Sequence, residues 1–349
     1  MQYNFWRFHP ITKLFYSRRH TLSVPPSRLM FSLTGRCNLR CRHCPRSSLH
    51  DLNESDSSKE LIDYVVEKIL PHCKYLRIGG NTLGEPLLSE NFDYFFSSIE
   101  KNKPREVHLV TNLTLLDEKK AETLVKYVDN LEVSVEGSQT AYSQIRNFSW
   151  QKLLENIKLL QKYREKHKDS KLRATLLICT MLSNLESLMG LFDLKDIGVD
   201  KLAFREFVAY DKDKQAECLW RNPERVNAYI KKFEKRSKET GMCIDIKFKN
   251  NYPDKKPHKI HSRKPGSDKC YFPWSCISID NTGSISCCCN NSLELGRITT
   301  YEEGLFGFWN NNNFIALRKS VNTAEPWPIC LECERKAMPE MDNNGQTPS

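Results

Sequence analysis

The segment RLMFSLTGRCNLRCRHC, residues 28–44, decides the fold of this chain and carries its first candidate site. Its first part, Arg28–Leu33, is a short apolar run that ends at the turn signal Thr34-Gly35, a pattern that predicts a buried β-strand. Three cysteines with CxxxCxxC spacing follow in the loop: Cys37, Cys41 and Cys44. The segment therefore predicts a strand whose loop brings three thiols close together.

Three thiolates at this spacing can bind three irons of a cuboidal iron–sulfur cluster, because the irons of such clusters take thiolate ligands. The fourth iron then lacks a protein ligand and is open to a small molecule. A structural zinc site with His43 as its fourth ligand is the alternative, although zinc motifs typically use paired CxxC units and no second pair lies nearby in the sequence.

Short β-rich runs alternate with longer helical patterns along the first 248 residues. The predicted strands are Arg28–Leu33, Tyr75–Ile78, Glu106–Val110, Leu131–Val135, Leu172–Cys179 and Lys201–Arg205. Ser58–Leu70 and Ser149–Lys166 each place apolar residues on one helical face, with the serines as N-caps, and Asn222–Thr240 is a further helix. The alternation predicts an α/β fold with a parallel sheet, and six strands favour a partial (β/α)6 barrel.

The composition predicts a globular protein that is not a membrane protein. The chain has 349 residues, 39% of them hydrophobic, so it can bury a substantial core. It contains no apolar run of about 18 residues, and its N-terminus lacks the layout of a secretory signal, which predicts a cytoplasmic location. The net charge of +10 comes from basic residues interleaved with acidic ones, so a nucleic-acid partner is not expected.

Cysteine usage indicates metal sites. Fourteen cysteines are too many for an ordinary cytosolic protein of this size, and most of them fall into two clusters. A disulfide framework is not expected in a reducing compartment. The four scattered ones are predicted to be buried small hydrophobes: Cys73, Cys179, Cys218 and Cys243.

The CxxxCxxC loop directly after the first strand resembles the signature of the radical S-adenosylmethionine (radical SAM) superfamily, whose partial barrel suits the strand–helix pattern. The segment IGGNTLGEP, residues 78–86, resembles the superfamily's glycine-rich and acidic GEP segment. The resemblance implies that Gly84, Glu85 and Pro86 contact the methionine part of SAM, with Glu85 or nearby backbone facing its ammonium. A glycine permits close backbone approach, and a carboxylate complements a cation.

Two further strand ends are similar to the family. Thr111-Asn112-Leu113 stands where the family often has Thr-Asn-Gly, so Leu113 departs from the pattern. Ser134 begins a Ser-x-Glu-Gly sequence, which implies a contact with the ribose or the carboxylate of SAM. Arg146 and Arg205 are the basic candidates for binding that carboxylate, and a solvated surface arginine is the alternative for each.

The resemblance implies a [4Fe–4S] cluster on Cys37, Cys41 and Cys44, with the amine and carboxylate of SAM on the open iron. One electron entering the sulfonium breaks a carbon–sulfur bond and yields a 5′-deoxyadenosyl radical, which abstracts hydrogen from a substrate carbon. The electron is expected from a low-potential donor such as flavodoxin or ferredoxin. The protein orients the substrate and excludes water.

The second cysteine cluster crowds the last quarter of the chain. An ordered series from Cys270 through Trp274, Gly283, Cys288 and Trp309 to Cys330-x-x-Cys333 resembles the single-cluster form of the SPASM extension of radical SAM enzymes. The resemblance implies a small α+β domain with an auxiliary [4Fe–4S] cluster on four of these residues: Cys270, Cys288, Cys330 and Cys333.

Three surplus cysteines, Cys276, Cys287 and Cys289, leave alternatives open. Any of them could replace a ligand of the auxiliary cluster, donate a hydrogen atom to a substrate radical, or be buried without a function. A zinc ribbon is a further alternative, formed by Cys287, Cys288, Cys330 and Cys333.

These features predict five segments: an N-terminal extension at 1–27, a radical SAM core at 28–248, a basic linker at 249–267, a SPASM-like domain at 268–338 and a disordered tail at 339–349. The expected reaction is oxidation or epimerisation of a small polar metabolite of the sugar or aminocyclitol type. Modification of a peptide or protein side chain is the first alternative, mildly disfavoured because only about 27 residues precede the barrel. A non-enzymatic zinc-binding protein is the second.

Overall fold

The six predicted strands are present in the structure, each within two residues of its predicted bounds. The computed structural model describes residues 19–48, 52–80, 83–209, 212–248, 270–288, 293–300, 302–323 and 325–330. The predicted linker, the predicted tail, Cys289 and Cys333 lie outside these ranges.

The described residues contain ten strands and nine α-helices, numbered here in chain order. The strands are β1 (Arg28–Phe31), β2 (Tyr75–Ile78), β3 (Glu106–Thr111), β4 (Asn130–Ser134), β5 (Arg173–Thr180), β6 (Lys201–Glu206), β7 (Cys243–Ile246), β8 (Cys276–Ile279), β9 (Ser284–Ser286) and β10 (Gly296–Arg297). The helices are α1 (Lys59–Tyr64), α2 (Phe92–Ser98), α3 (Glu118–Tyr127), α4 (Gln139–Arg146), α5 (Trp150–Lys166), α6 (Pro223–Thr240), α7 (Phe272–Ser275), α8 (Leu305–Trp309) and α9 (Asn312–Ser320).

The chain divides into two compact units, and the boundary falls inside β3. Within the described ranges, the first unit holds residues 19–36, 53–107 and 270–330, and the second holds residues 37–52 and 108–248, with the gaps given above. The predicted domain boundaries stay predictions.

In the first unit, β1 pairs in parallel with β2 on one side and with β8 on the other. The hairpin of β8 and β9 is antiparallel, and β10 pairs antiparallel with β9. The turn at 280–283 thus connects an antiparallel strand, β9, to a strand that also pairs in parallel with β1. The β8 strand is buried along its whole length, as expected of a strand in a parallel sheet covered on both faces.

In the second unit, β3 to β7 pair in parallel and in chain order. A seventh strand, β7, follows the six predicted ones and pairs with β6 at the edge. Cys243 is exposed there, so the prediction that it is buried was wrong, because the first position of an edge strand faces solvent. Cys73 and Cys218 are buried as predicted, and Cys179 is partly buried.

The helices begin where the sequence indicates. Ser58 accepts a hydrogen bond from the Leu61 N–H at 3.2 Å, and Ser149 accepts one from the Lys152 N–H at 3.3 Å. The predicted helix Ser58–Leu70 is only partly α-helical, since α1 passes into a π-helical turn at Val65–Ile69 and a 3₁₀ turn at Leu70–His72. A proline in that last turn lacks the N–H needed to continue an α-helix.

The N-terminal residues of the described chain are fixed to the C-terminal helices of the same unit. The Trp274 indole donates to the Arg19 carbonyl at 3.0 Å. Asn310 accepts from the Leu22 N–H at 2.8 Å and donates to the Leu22 carbonyl at 2.9 Å. No helix in the described ranges is both long enough and apolar enough to cross a membrane.

An aromatic cluster packs α6 onto the sheet of the second unit. Phe204 of β6 and Phe233 of α6 stack with ring centroids 4.7 Å apart, and Phe192 lies 6.1 Å from Phe233. All three side chains are fully buried. Burial of these three rings stabilises the folded state by several kcal/mol in total, because each ring removes a large apolar area from water.

We expect Phe204→Ala to lower the free energy of unfolding by about 3–5 kcal/mol, because it removes a ring and leaves a cavity in the second unit. Denaturant unfolding of the purified chain measures this. The control is Phe306→Ala, at a phenylalanine that is 40% exposed, which is expected to cost less than about 1 kcal/mol. Equal losses in the two variants would contradict this account of the core.

Candidate active site

The loop that carries the first cysteine cluster is anchored to the residues just beyond β3. The Asn38 amide donates to the Thr114 hydroxyl at 2.8 Å, and Asn112 donates to the Asn38 side-chain oxygen at 3.0 Å. The Thr114 hydroxyl in turn donates to Asn112 at 2.7 Å, which completes a closed set of polar contacts. Asn112, from the Thr-Asn sequence that resembles the family, therefore holds the cysteine loop in place.

Leu113 has a positive φ angle, which is more typical of glycine. Its φ of 59° lies in the left-handed region, which costs a residue with a Cβ on the order of 1–2 kcal/mol. The side chain is fully buried and the carbonyl accepts from the Asn156 amide at 2.8 Å. Burial of a leucine contributes about 1.5–3 kcal/mol, which offsets the strain, so the departure from Thr-Asn-Gly preserves the turn.

The same loop is tied to the end of α4. The Arg42 N–H donates to the Ile145 carbonyl at 2.9 Å. One residue further along α4, Arg146 Nη1 lies 3.6 Å from Cys41 Sγ, within hydrogen-bond range for sulfur. A guanidinium thus faces the middle cysteine of the cluster.

Arg146 is buried rather than solvated, which excludes the surface alternative. It is 7% exposed and forms a two-pronged ion pair with Glu136, which is 2% exposed. Its Nη2 donates to Glu136 Oε1 at 2.5 Å, and its Nε donates to Oε2. Although burial alone would lower the pKa of the guanidinium, Glu136 and Cys41 raise it, so Arg146 stays charged. Its contact with the SAM carboxylate stays a prediction.

The three thiols of the loop act on one another electrostatically. Burial raises the pKa of Cys41 to about 11, Arg146 opposes the rise, and Cys44 and Cys37 add to it. The thiol must lose its proton to bind iron, and the adjacent guanidinium lowers the cost of that step. Donor type and electrostatics therefore fit an iron–sulfur cluster at Cys37, Cys41 and Cys44, whose assignment stays a prediction.

His43 sits beside the same ion pair. Its Nε2 lies 3.5 Å from Glu136 Oε1, and its buried Nδ1 has no hydrogen-bond partner in the part of the chain that the structure describes. Burial lowers the pKa of its imidazole. Among the described residues, no group of three or more His, Cys, Asp or Glu side chains is arranged so that it could hold a single metal ion. A cubane distributes its cysteines over separate irons, so it does not need such a group.

The GEP segment lies in the first unit. The Glu85 N–H donates to the Arg36 carbonyl at 2.7 Å, and the Glu85 carboxylate accepts from the Leu87 N–H at 3.1 Å. Glu85 is buried and Pro86 begins the one-turn helix that this carboxylate caps. The expected contact of Glu85 or its backbone with the SAM ammonium stays a prediction.

Gly84 packs directly on backbone. A Cβ built on it would stand 2.0 Å from the Thr34 carbonyl oxygen and 3.2 Å from that of Arg36. These are the residues just before Cys37, so the close approach of the GEP segment to this turn requires a glycine.

Two other predicted site residues, Ser134 and Arg205, lie on the strands β4 and β6. Ser134 ends β4 and is paired in register with Leu177 of β5, where it is partly buried. Arg205 forms an ion pair with Asp245 at 3.0 Å on a partly exposed edge. The role of Ser134 towards SAM stays a prediction, and Arg205 already has a carboxylate partner.

Three of the C-terminal cysteines lie on or directly after β8 and β9, namely Cys276, Cys287 and Cys288. Cys270 is fixed to Asn322 by reciprocal bonds of 2.8 and 3.1 Å. The Cys287 thiol hydrogen-bonds with Cys288, and this contact together with burial raises its pKa. Cys270 and Cys276 act electrostatically on Cys287 as well. The pKa of Cys287 thus depends on two predicted ligands and one other surplus cysteine, and the auxiliary ligand set stays a prediction.

A cavity of about 330 Å³ opens beside the first cysteine loop, within the second unit. Arg42 and His43 are among the residues that line it. The lining also includes charged residues of both signs, Asp213, Lys214 and Glu217. Its apolar wall consists of Ile145, Met181 and Phe207, which pack together with Cys218.

Sequence reasoning missed two residues that hold this site. Glu136 stood inside the quoted Ser-x-Glu-Gly sequence, and an arginine predicted to be buried would have required such a carboxylate. Asn184 is fully buried and donates to the carbonyls of Glu136 and Cys179, each at 2.9 Å. A lone asparagine in a loop carries no sequence signal for that role.

Comparisons with known proteins agree with this arrangement. A family model described as the radical SAM superfamily matches residues 31–185. The chain is 33% identical over 114 residues to the probable GTP 3′,8-cyclase of Methanocella arvoryzae, covering 32% of this chain and 34% of that protein. It is 35% identical over 92 residues to the GTP 3′,8-cyclase of Synechocystis sp., covering 26% and 27%. The matches thus span about a third of the length of these relatives or less.

Solved structures resemble a larger part of the chain. The crystal structure of Streptococcus suis SuiB bound to S-adenosylmethionine superposes with a TM-score of 0.63 at 14% identity, covering 87% of this chain and 69% of that one. Native anSMEcpe with bound AdoMet and Cp18Cys peptide gives a TM-score of 0.61 at 19% identity, covering 84% of each chain. At these identities the likeness concerns the fold.

We expect Gly84→Ala to destabilise the chain by about 1–3 kcal/mol, because the added methyl group meets backbone atoms that cannot move independently. Denaturant unfolding of the metal-free protein measures the loss. Gly304→Ala is the matched control, since a Cβ at Gly304 meets nothing within 4 Å. If both variants unfold at the same denaturant concentration, the close packing of Gly84 on Thr34 does not constrain this turn.

Proposed function

We propose that this chain, whose residues 31–185 match the family model of the radical SAM superfamily, cleaves S-adenosylmethionine reductively to abstract hydrogen from a small polar metabolite. The net result is oxidation or epimerisation of a carbon centre in a sugar or aminocyclitol. The observation that carries this proposal is the small cavity lined by charges of both signs beside the cysteine loop.

The family and the fold class are those that the sequence predicted. The α/β fold with parallel strands matches the radical SAM barrels among the solved structures, in agreement with a partial (β/α)6 barrel. A radical SAM enzyme uses a [4Fe–4S] cluster and SAM, and two of the similar structures hold the latter. The residue roles proposed below assume that this chain binds both cofactors.

The size of the cavity supports a small substrate. At about 330 Å³ it stands at the lower end of the range for ligand pockets, which suits a monosaccharide-sized molecule. Arg42 forms an ion pair with Glu217 at 3.3 Å, and Glu217 also accepts from the Ser183 N–H at 3.0 Å. Carboxylates and amines placed in this way suit hydroxyl and ammonium groups of a polar ring.

The apolar wall has a complementary task. Met181 and Phe207 contribute no hydrogen-bond donors to a substrate, so they leave its C–H bonds unsolvated. Orientation of one such bond towards the reacting carbon contributes a large share of the rate in a reaction of this type. The polar side of the cavity holds the ring, and the apolar side presents a C–H bond.

The buried ion pair serves the cluster site. When bound there, a [4Fe–4S] cluster supplies one electron to the SAM sulfonium. Arg146 compensates the negative charge of the Cys41 thiolate, and Glu136 keeps the guanidinium oriented towards that sulfur. Without Glu136, the arginine would be a buried cation with one anionic neighbour fewer.

A second cluster is part of the proposal. We assign an auxiliary [4Fe–4S] cluster to Cys270, Cys288, Cys330 and Cys333, and a fully ligated cluster of this kind relays an electron. The electrostatic interaction of Cys287 with Cys288 and Cys270 in the first unit supports it. We further propose a cytoplasmic location and a low-potential donor such as flavodoxin or ferredoxin.

Modification of a peptide or protein side chain is the second candidate function. The solved structures favour it, because the anSMEcpe structure holds a peptide and a further SuiB structure is bound to the precursor peptide SuiA. Both cover more than four fifths of this chain. The name of the sequence relatives adds GTP as a compound to test.

We expect the anaerobically reconstituted protein to form 5′-deoxyadenosine from SAM in the presence of dithionite. Cys41→Ala should abolish it, because the cluster loses a thiolate ligand. Cys288→Ala should retain SAM cleavage and lose product, because only the auxiliary cluster is affected. Liquid chromatography of the nucleoside measures both.

The matched control is Cys243→Ala, which removes an exposed thiol from β7 and should leave the rate unchanged. Iron, sulfide and zinc are counted in the same samples. A wild-type protein that holds its iron and forms no 5′-deoxyadenosine contradicts the enzymatic proposal, and zinc in both sites supports a non-enzymatic zinc protein.

A substrate panel separates the two candidate functions. We expect an aminocyclitol or sugar to raise 5′-deoxyadenosine formation by about tenfold, which is ~1.4 kcal/mol of barrier, whereas GTP and a cysteine-containing peptide should not. Glu217→Gln should reduce this stimulation, because it removes a carboxylate from the cavity. Glu155→Gln, on the exposed side of α5, should not change it.

Stimulation by the peptide alone would replace the metabolite proposal by the peptide-modifying one. Transfer of deuterium from a labelled substrate carbon into 5′-deoxyadenosine, measured by mass spectrometry, identifies the compound whose hydrogen is abstracted.

A further inference from the structure

The sheet of the second unit has one buried face and one partly exposed face. On the first, Leu131, Leu176 and Leu202 are fully buried. On the second, β5 and β6 place Thr175 and Lys201 side by side, and both residues are partly exposed. Parallel sheets are usually covered on both faces. A partly exposed face with polar side chains therefore leaves room for a bound molecule.

Three cations surround one carboxylate on this face, at the strands β6 and β7. Asp245 of β7 is paired in register with Ala203 of β6, between Lys201 and Arg205 in the chain. Its carboxylate lies 3.0 Å from Arg205 Nη2, 3.6 Å from Lys201 Nζ and 3.8 Å from Lys247 Nζ. We name these three basic residues the cationic group. One carboxylate balances one of their charges, so two formal positive charges remain in excess.

The two lysines keep ammonium donors for a further acceptor. Their separations from Asp245 exceed those of hydrogen bonds, so they interact with it mainly through charge. Arg205 uses Nη2 for Asp245 and Nη1 for the Phe204 carbonyl at 2.9 Å. Although burial alone would raise the pKa of Asp245, the cationic group lowers it, so the carboxylate is charged and the excess is still present. A second anion would balance it.

The cationic group lies beside the apolar wall of the cavity. Arg205 is paired in register with Cys179 of β5, and Cys179 packs against the apolar cluster that includes Met181 and Phe207. Phe207 also follows Arg205 by two residues, a distance of about 7 Å along an extended chain. The wall of the cavity and the cationic group are therefore neighbours on the same strands.

We propose that the cationic group binds the phosphate of a phosphorylated sugar, which is the substrate class of the adjacent cavity. The inference rests on the proposed function and names its substrate more closely. The phosphate of a monoester carries a charge of about −1.5 to −2 near neutral pH, which matches the excess of two positive charges. An arginine supplies directed donors to phosphate oxygens, and lysines add point charges. A substrate carboxylate would balance only one of the two charges.

The experiment measures binding by isothermal titration calorimetry with the full, anaerobically reconstituted chain at fixed low ionic strength. The probes are glucose 6-phosphate, inorganic phosphate, glucuronate and glucose. We expect both phosphate probes to bind. Glucuronate should bind about tenfold more weakly than glucose 6-phosphate, because it carries a single charge, and glucose should bind more weakly still.

Charge changes around Asp245 should act in opposite directions. Arg205→Gln and Lys201→Gln should each weaken the binding of glucose 6-phosphate by about tenfold, because each removes a charged donor. Asp245→Asn should strengthen it severalfold, because it removes the competing negative charge and keeps the shape of the side chain. A purely structural role of these residues predicts no gain in affinity, so Asp245→Asn decides even if Arg205→Gln fails to fold.

Arg236→Gln is the matched control. Arg236 lies on α6 and pairs with Asp193 at 2.6 Å, and its side chain is 37% exposed against 34% for Arg205. Its loss should leave the affinity for glucose 6-phosphate unchanged. Equal losses in Arg236→Gln and Arg205→Gln would show that only the net charge of the chain attracts the anion, which overturns the inference.

Other outcomes also overturn it. The inference is wrong if neither phosphate probe binds, if glucuronate binds as tightly as glucose 6-phosphate, or if Asp245→Asn leaves the affinity unchanged. Arg205→Gln that weakens the binding of SAM and leaves that of phosphate unchanged would assign Arg205 to the SAM carboxylate instead.

The results separate this inference from the proposed function. A chain that forms 5′-deoxyadenosine from SAM but binds no phosphate contradicts the inference alone. A chain that binds phosphate with the expected response to the variants, and holds its iron without forming 5′-deoxyadenosine, supports the anion site and contradicts the proposed reaction.

Discussion

The ion pair of Arg146 and Glu136 is the interaction on which the candidate site of the second unit depends. Cys41 is buried, so its thiol resists the loss of a proton that iron binding requires. A guanidinium at 3.6 Å from its sulfur lowers that resistance, and the buried Glu136 carboxylate balances the charge of this guanidinium inside the protein. The loop, the helix end at Arg146 and the strand end before Glu136 must therefore form together.

Two arginines that are buried within the described ranges are surrounded by different groups. Arg146 has a carboxylate partner in place, so its charge is balanced whether or not a cluster is bound. Arg318 has instead the Pro273 and His20 carbonyls and the face of the Trp309 ring around its guanidinium.

The sequence was informative wherever a local pattern determines the outcome. Apolar runs ending in turn residues placed the six strands, and Ser58 and Ser149 marked two helix starts, because these signals act over a few residues. The pairing of β8 with β1 was not predicted, since two strands about 250 residues apart in sequence carry no mark of their adjacency. The cysteines and Arg146 were recognised as candidates from the sequence, whereas Glu136 was not. A buried arginine requires a partner such as a carboxylate, but the sequence does not indicate which carboxylate that is.

The placement of the site follows from the direction of the strands. In the second unit, residues of the candidate site directly follow the carboxyl ends of three parallel strands. Glu136 lies after β4, Met181 after β5 and Phe207 after β6. Loops at the carboxyl ends of parallel strands can change without disturbing the sheet, and active sites of barrels gather there. The ion pair that serves the cluster comes from β4 and α4, whereas much of the cavity wall comes from the loops after β5 and β6. The substrate can therefore differ between relatives while the residues around Cys41 stay the same, which is why a shared family does not by itself identify the metabolite.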